Sequence, residues 1–281
     1  MTRRFAAAAL ALLIATAARA DMPPSAVPEA VGLSSERLGR ITSVFEAEIA
    51  SGALPGVQLL IQRQGRLAYA ETFGVRDPEI GDALQADAIY RIYSMTKPIV
   101  SVGLMMLVEE GKLHIGDPVS KWIPELGGLQ VATAPRPDAA DSEVELVAAK
   151  RDIMVQDLLR HTSGLTYGVF GDSWVKRKYK AAGIHLKTQS TGEMTAKLGE
   201  LPLMYHPGEV WHYSRSTDVI GYLIEVVSGR SLGDYLAERI FVPLGMTDTG
   251  FFVPADQLHR VVEPQAVPGT DEKPAYLDPA T

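Results

Sequence analysis

The chain contains no cysteine. That single absence excludes disulfides, thiolate metal centres and a cysteine nucleophile. Histidine is sparse too, with six residues scattered along the chain, and His206 and His212 lack the helical spacing of paired metal ligands. No glycine-rich phosphate loop, internal repeat or βαβ alternation is present. No metal and no other cofactor is therefore expected. Basic residues are outnumbered, 27 Lys and Arg against 34 Asp and Glu, for a net charge of −7. A surface of that sign repels phosphate backbones, so nucleic acid is not an expected partner.

What is present is a globular composition: 281 residues, 46% hydrophobic, with mean hydropathy near zero. That is enough chain for a substantial core and one or two domains. Residues 1–20 stand apart. Arg3 and Arg4 precede an apolar run from Phe5 to Ala18, and Ala18-Arg19-Ala20 is an A-x-A cleavage signal. The run is too short to span a bilayer and reads as a secretory signal peptide. Its removal takes the basic count from 27 to 24 against 34 acidic residues, a net charge of −10. The expected product is exported, periplasmic or extracellular, with no membrane span after cleavage. Residues 21–30 form a Pro-rich linker, and 31–281 read as one domain.

Element signals are uneven. From Ser34, "SSERLGRITSVFEAEIASG" has an N-cap, an early Glu and helical apolar spacing, closed by Gly52. "PGVQLLIQRQGRLAYAETFG" predicts a hairpin about Gly65. Pro98 to Val108 is apolar on almost every face and predicts a helix buried all round. Thr133 to Glu143 predicts a surface loop, and 168–200 is polar and poorly periodic. "IMVQDLLRHTSG", "STDVIGYLIEVVSG" and "SLGDYLAERIF" predict three further helices.

Three serines compete as nucleophile. S-x-x-K is expected about once by chance in a chain of this length, and it occurs twice, at Ser94–Lys97 and Ser173–Lys176. The second lies in "DSWVKRKYK", a charged stretch with no apolar helix behind it. Ser94 differs in its surroundings. Pro98 marks a first helical turn, so Ser94 lies at a helix N-terminus, where unpaired N–H groups favour a developing oxyanion. Lys97, three residues on, shares its face. A capping serine beside a snorkelling lysine would look the same. The third, Ser231 in "GRSLG", matches G-x-S-x-G but follows a helix, not the strand that a nucleophile elbow needs. Tyr167, Phe170 and Trp174 could line a pocket or simply pack.

"LPGVQLLIQRQGRLAYAETFG", "YSMTK", "DLLRHTSGL" and "PGEVWHYS" together resemble the serine β-lactamase and penicillin-binding-protein superfamily. They are most similar to the carboxylesterases related to class C β-lactamases, called family VIII. The resemblance runs from about Val31 to the chain end. It implies an α+β, β-lactamase-like fold, an antiparallel sheet beside a mostly helical subdomain, of which only the N-terminal hairpin of the main sheet is present. It implies Ser94 as nucleophile, Lys97 as its lysine, Tyr213 as the tyrosine of the second motif, and His161 to Gly164 as a structural turn. The Ser94 backbone N–H would be one oxyanion donor, and the second donor is absent from this chain. Where the superfamily usually shows Y-x-N, this chain has Arg215.

The expected activity is therefore cleavage of a small-molecule ester, with short-chain carboxylic esters passing through an acyl-enzyme on Ser94. The alternative is a β-lactamase or D-alanyl-D-alanine carboxypeptidase using the same residues. The superfamily's third motif is not found before Thr281, so the chain is expected to be the N-terminal part of a longer enzyme. Alone it would be aggregation-prone and nearly inactive. Lysine and tyrosine both titrate near 10, so a base acting near pH 7 needs a pKa lower by about 3, or roughly 4 kcal/mol. Sequence does not say which of the two is that base.

Overall fold

The computed structural model describes residues 23–133 and 144–265. The expected signal peptide, and the expected surface loop apart from Thr133, lie outside the described residues. Two compact units emerge, one drawn from Met1–Ile89 and Phe241–Thr281, the other from Tyr90–Ile240.

In the first unit, α1 (Ser35–Ala50) starts where Ser34 Oγ accepts the Arg37 N–H at 3.3 Å. This supplies one of the partners that a helix start lacks. β1 (Gly56–Arg63) and β2 (Arg66–Asp77) form the expected antiparallel hairpin. Its two-residue turn, Gln64 and Gly65, has φ of 53° and 69°, the left-handed pair that matches strand twist. β3 (Asp82–Ala83) adds a third, very short strand in the order β1-β2-β3. Phe45 of α1 stacks on Phe73 of β2 with ring centroids 6.0 Å apart. The lead-in runs along β2, with Ala26 N–H donating to Leu67 O at 2.9 Å and Leu67 N–H to Pro24 O at 3.0 Å.

The second unit is mostly helical. α2 (Thr96–Glu109) buries Val100, Gly103, Leu104 and Leu107, a single i, i+3, i+4, i+7 face. Val102 and Met105 are 53% and 42% exposed, so the expectation of burial on every face is corrected. Apolarity all round does not fix how many faces find a partner. The buried face packs against α6 (Ser216–Ser228) and α7 (Leu232–Leu236). A side chain at Gly103 would sit 2.8 Å from Leu236, and the Tyr235 hydroxyl donates to the Gly103 carbonyl at 3.1 Å.

The stretch 168–200 holds two helices that its sequence did not signal, α4 (Trp174–Ala181) and α5 (Thr191–Gly199). Each buries three side chains, too few to repeat a pattern. β4 (Gln130–Ala132) and β5 (Leu146–Ala148) pair antiparallel and were likewise not anticipated.

α3 (Val155–Leu159) carries a fully buried carboxylate, Asp157. It accepts from Arg151 at 2.5 and 3.0 Å, from the Met154 N–H at 2.9 Å and from Thr162 Oγ1 at 3.0 Å. Burial alone would raise its pKa, but these donors outweigh it and hold the carboxyl below its ordinary value. A depressed folded pKa adds stability above the unfolded value, near 3.9, and that gain is lost as pH falls through the folded one. Asp157→Ala should therefore cost about 3 kcal/mol, the lower end for breaking a buried pair because Arg151 keeps some access to water. Denaturant unfolding at neutral pH measures this. The same variant should lose less stability on acidification than wild type, and an equal acid loss would remove Asp157 from that role.

Candidate active site

Ser94 lies in a single 3-10 turn, Tyr93–Met95, that runs straight into α2. Pro98 falls in the first turn of α2, where its missing N–H would have had no helical partner. The residue before the serine, Tyr93, has φ of 41°. For a bulky non-glycine residue this left-handed backbone costs about 1–3 kcal/mol and is typical of sites where geometry is over-determined. No sequence signal marks it.

The turn presents Ser94 Oγ to two partners. The Lys97 Nζ donates to it at 3.1 Å, and the Tyr213 hydroxyl oxygen lies 2.6 Å away. Lys97 Nζ also stands 4.7 Å from the Tyr213 ring centroid. Residues 119 positions apart thus meet around one hydroxyl. Burial pushes the Tyr213 phenol up, but the Lys97 ammonium, the Ser94 hydroxyl and the Tyr167 hydroxyl outweigh it and lower its pKa below the ordinary 10.

Tyr213 is held by the turn that follows α3. Gly208 N–H donates to Thr162 O at 2.7 Å, His212 N–H to His161 O at 2.8 Å, and Met204 N–H to Gly164 O at 2.8 Å. Gly164 has φ of 83°, and a Cβ there would lie 2.1 Å from the Tyr205 carbonyl oxygen; only glycine fits. Beneath lie Ser163, Ser214 and Ser216, all fully buried, linked Ser163–Ser216 at 2.8 Å and Ser214–Ser216 at 2.7 Å. The His161 ring is 5.0 Å from the Tyr213 ring. Burial and the Lys97 charge lower the pKa of His161, and burial lowers that of His212, so both are neutral at pH 7. His212 Nε2 pairs with Thr166 Oγ1 at 2.8 Å, while His206 Nδ1 accepts the Lys150 N–H at 3.3 Å.

The other two serines cap helices. Ser173, 1% exposed, accepts the Lys176 N–H at 3.2 Å to start α4. Ser231 accepts the Asp234 N–H at 3.1 Å to start α7. Neither meets a lysine or tyrosine side chain; Ser231 Oγ donates instead to the Asp234 carboxylate at 2.6 Å. Of the three aromatics, Tyr167 stands 5.4 Å from Tyr213 and 5.3 Å from Phe170, ring to ring, while Trp174 is buried under Lys178. Arg215 lies over the Tyr167 ring at 4.8 Å. Trp211, 67% exposed and stacked on Tyr213 at 6.5 Å, was not anticipated. A pocket of about 340 Å³ in the other unit is lined by Arg76, Asp82, Gln85, Asp87, His259 and Arg260. Its arginines are engaged with Asp82, Asp87 and Asp248, and it contains no activated nucleophile.

A family model described as beta-lactamase matches residues 41–280. Protein Rv1367c of Mycobacterium tuberculosis is 37% identical over 210 residues, covering 75% of this chain and 51% of its own length. Esterase EstB of Burkholderia gladioli is 33% identical over 227 residues, 80% of this chain and 54% of its own. Among solved structures, EstCE1, a hydrolase with promiscuous acyltransferase activity, superposes with a TM-score of 0.67 at 26% identity, covering 80% of this chain and 55% of that one. The chain spans about half the length of the curated relatives it matches.

One consequence of the site geometry is spectroscopic. The tyrosinate absorbance titration of wild type minus that of Tyr213→Phe should show a tyrosine ionising below 10. Lys97→Met, which removes the cation beside the ring, should move that titration upward. A Tyr213 transition that ignores Lys97 would contradict the coupling.

Proposed function

The chain belongs to the beta-lactamase family, and from that membership we propose that it forms the nucleophile-bearing part of an exported serine hydrolase acting on short-chain carboxylic esters. The observation that carries the reading is one hydroxyl, Ser94 Oγ, in hydrogen-bond reach of both an ammonium and a phenol of lowered pKa.

The proton logic follows from those contacts. An ammonium that donates to Ser94 Oγ has no lone pair with which to take its proton. The Tyr213 phenolate does, and Lys97 stabilises that phenolate through its charge. Ser94 Oγ attacks the ester carbonyl carbon as its proton passes to Tyr213, and the carbonyl electron pair moves to oxygen. The Ser94 N–H, near the start of α2, serves as one oxyanion donor. Collapse expels the alcohol, which leaves with the proton from Tyr213, and the acyl group remains on Ser94. Water then attacks by the same route, releasing the acid and restoring the serine.

Support for an ester over a β-lactam comes from Arg215, which stands where penicillin-recognising relatives carry an amide side chain, and from the similarity to EstB. The export reading rests on residues 1–20. The described residues contain no helix long and apolar enough to cross a membrane. Since the relatives run to about twice the matched length, the 281-residue chain alone is expected to be slower than a version of their length.

In such a longer version Ser94→Ala should abolish p-nitrophenyl butyrate hydrolysis, while Ser173→Ala and Ser231→Ala, which lose only caps, keep it. Retained turnover in Ser94→Ala would sink the assignment. Tyr213→Phe keeps the ring packing and removes the acceptor, so kcat should fall ~10²-fold or more with little loss of stability. Nitrocefin run in parallel separates the readings: turnover faster than the butyrate ester would favour a β-lactamase. A fluorophosphonate probe that fails to label Ser94 would point to a non-catalytic binding protein.

A further inference from the structure

Arg215 is poorly placed to act on an ester itself. Its side chain is 19% exposed and its NH1 reaches Asp218 Oδ1 at 3.3 Å. Its Nε is buried and has no hydrogen-bond partner. What the guanidinium does have is an aromatic surface: its central carbon lies 4.8 Å from the Tyr167 ring centroid, within the range where the ring quadrupole attracts a cation. Tyr167 is 9% exposed, so its ring has few other orientations. From there its ring meets Tyr213 at 5.4 Å and 37°, and its hydroxyl helps hold the Tyr213 pKa below its ordinary value.

We infer that Arg215 is a positioning residue, which acts by pinning the Tyr167 ring so that the Tyr167 hydroxyl points at the Tyr213 oxygen. The inference rests on the reading of Tyr213 as the proton acceptor and adds two residues to it. Burial, with Asp218 and Tyr213 nearby, pushes the Tyr167 phenol above the ordinary tyrosine range. It therefore stays protonated, and remains a donor, through the pH range in which Tyr213 ionises. The groups that face Tyr213 are Ser94 and Lys97 from the start of α2, His161 and Tyr167 from the segment after α3, and Trp211 and His212 just before it. Arg215 and Asp218 follow it, at the start of α6. Both histidines are neutral in the range concerned, as shown above, so their titration does not mimic the effect. Lys97 acts on the opposite contact and is left unchanged in the test.

The test is a double-mutant cycle on the full chain, read as the tyrosinate titration of Tyr213 and not as turnover. Tyr167→Phe removes the donated hydrogen bond and should raise the Tyr213 midpoint by about one pH unit, a tenfold change in the ionised fraction. Arg215→Met should raise it similarly. The double variant should show no more than the larger single shift, because both changes break the same link. In a version with turnover, the ascending limb of kcat/KM should move by the same amount. Arg215→Lys keeps the charge but not the flat face, so a smaller shift of the same sign is expected, and it carries the test should Arg215→Met not fold. An unmoved midpoint in the Arg215 variants overturns the inference while leaving Tyr213 as the acceptor. Additive shifts overturn it too, since Arg215 would then act by a separate route. If no tyrosine ionises below 10 in wild type, the reading of Tyr213 itself fails, a result distinct from the other two.

Discussion

A carboxylate sealed from water has to be saturated with donors or it unfolds its surroundings. Asp157 meets that demand by drawing three parts of the chain to one point: Arg151 before α3, the Met154 N–H at the helix start and Thr162 after its end. Thr162 is fixed at both ends, because its carbonyl also receives the Gly208 N–H. The turn from His161 to Gly164 is thereby stationary, and the segment that carries Tyr213 is hung from it by three main-chain bonds. The position of the phenol thus traces back to a buried acid that never touches it.

The other half of the site obeys a different constraint. Ser94 and Lys97 are only three residues apart, so local geometry aims both, and the cost is taken by the Tyr93 backbone with its positive φ. Local strain and long-range hydrogen bonding then converge on one 2.6 Å contact between Ser94 and Tyr213. On the proposed mechanism, neither half alone makes an activated serine. In the proposed reading, the serine–lysine pair without the phenol lacks an acceptor, since an ammonium has no lone pair. The phenol without the lysine would ionise too high to work near neutrality. Activation is a property of the junction, which is why the S-x-x-K pattern alone is such a weak signal.

The legible parts of the sequence were those written in local chemistry. α1 was readable from Ser34 to Gly52, the β1–β2 hairpin from its Gly65 turn, and α6 from its apolar period and the Gly229 stop. Ser94, Lys97 and Tyr213 could be named because their flanking motifs resemble a known superfamily, and the structure brings all three together. What stayed hidden depends on partners far along the chain. β4 and β5 are three residues each and exist through their pairing. α4 and α5 bury too few side chains to show a period. The exposed face of α2 was missed because an all-apolar helix does not say which sides are covered. Tyr93 left no trace, since a φ angle has no residue type when the residue is not glycine.

Ser94, Ser173 and Ser231, like Ser34 and Ser190, sit before helices with a polar or charged residue three positions on, and by local rules they are equivalent. Ser173 and Ser231 follow those rules to their ordinary end, turning the hydroxyl toward the backbone N–H of the third residue. Ser94 departs from them. Its turn is 3-10, the helix cap falls on Met95, and the side chain of the third residue, not its backbone, reaches the hydroxyl. A hydroxyl engaged in capping has its lone pair committed to the helix. One released from capping must find partners elsewhere, and in a half-open site those partners set its reactivity. The departure from the cap is therefore the physical distinction between the two capping serines and the proposed nucleophile, and it coincides with the strained residue directly before Ser94.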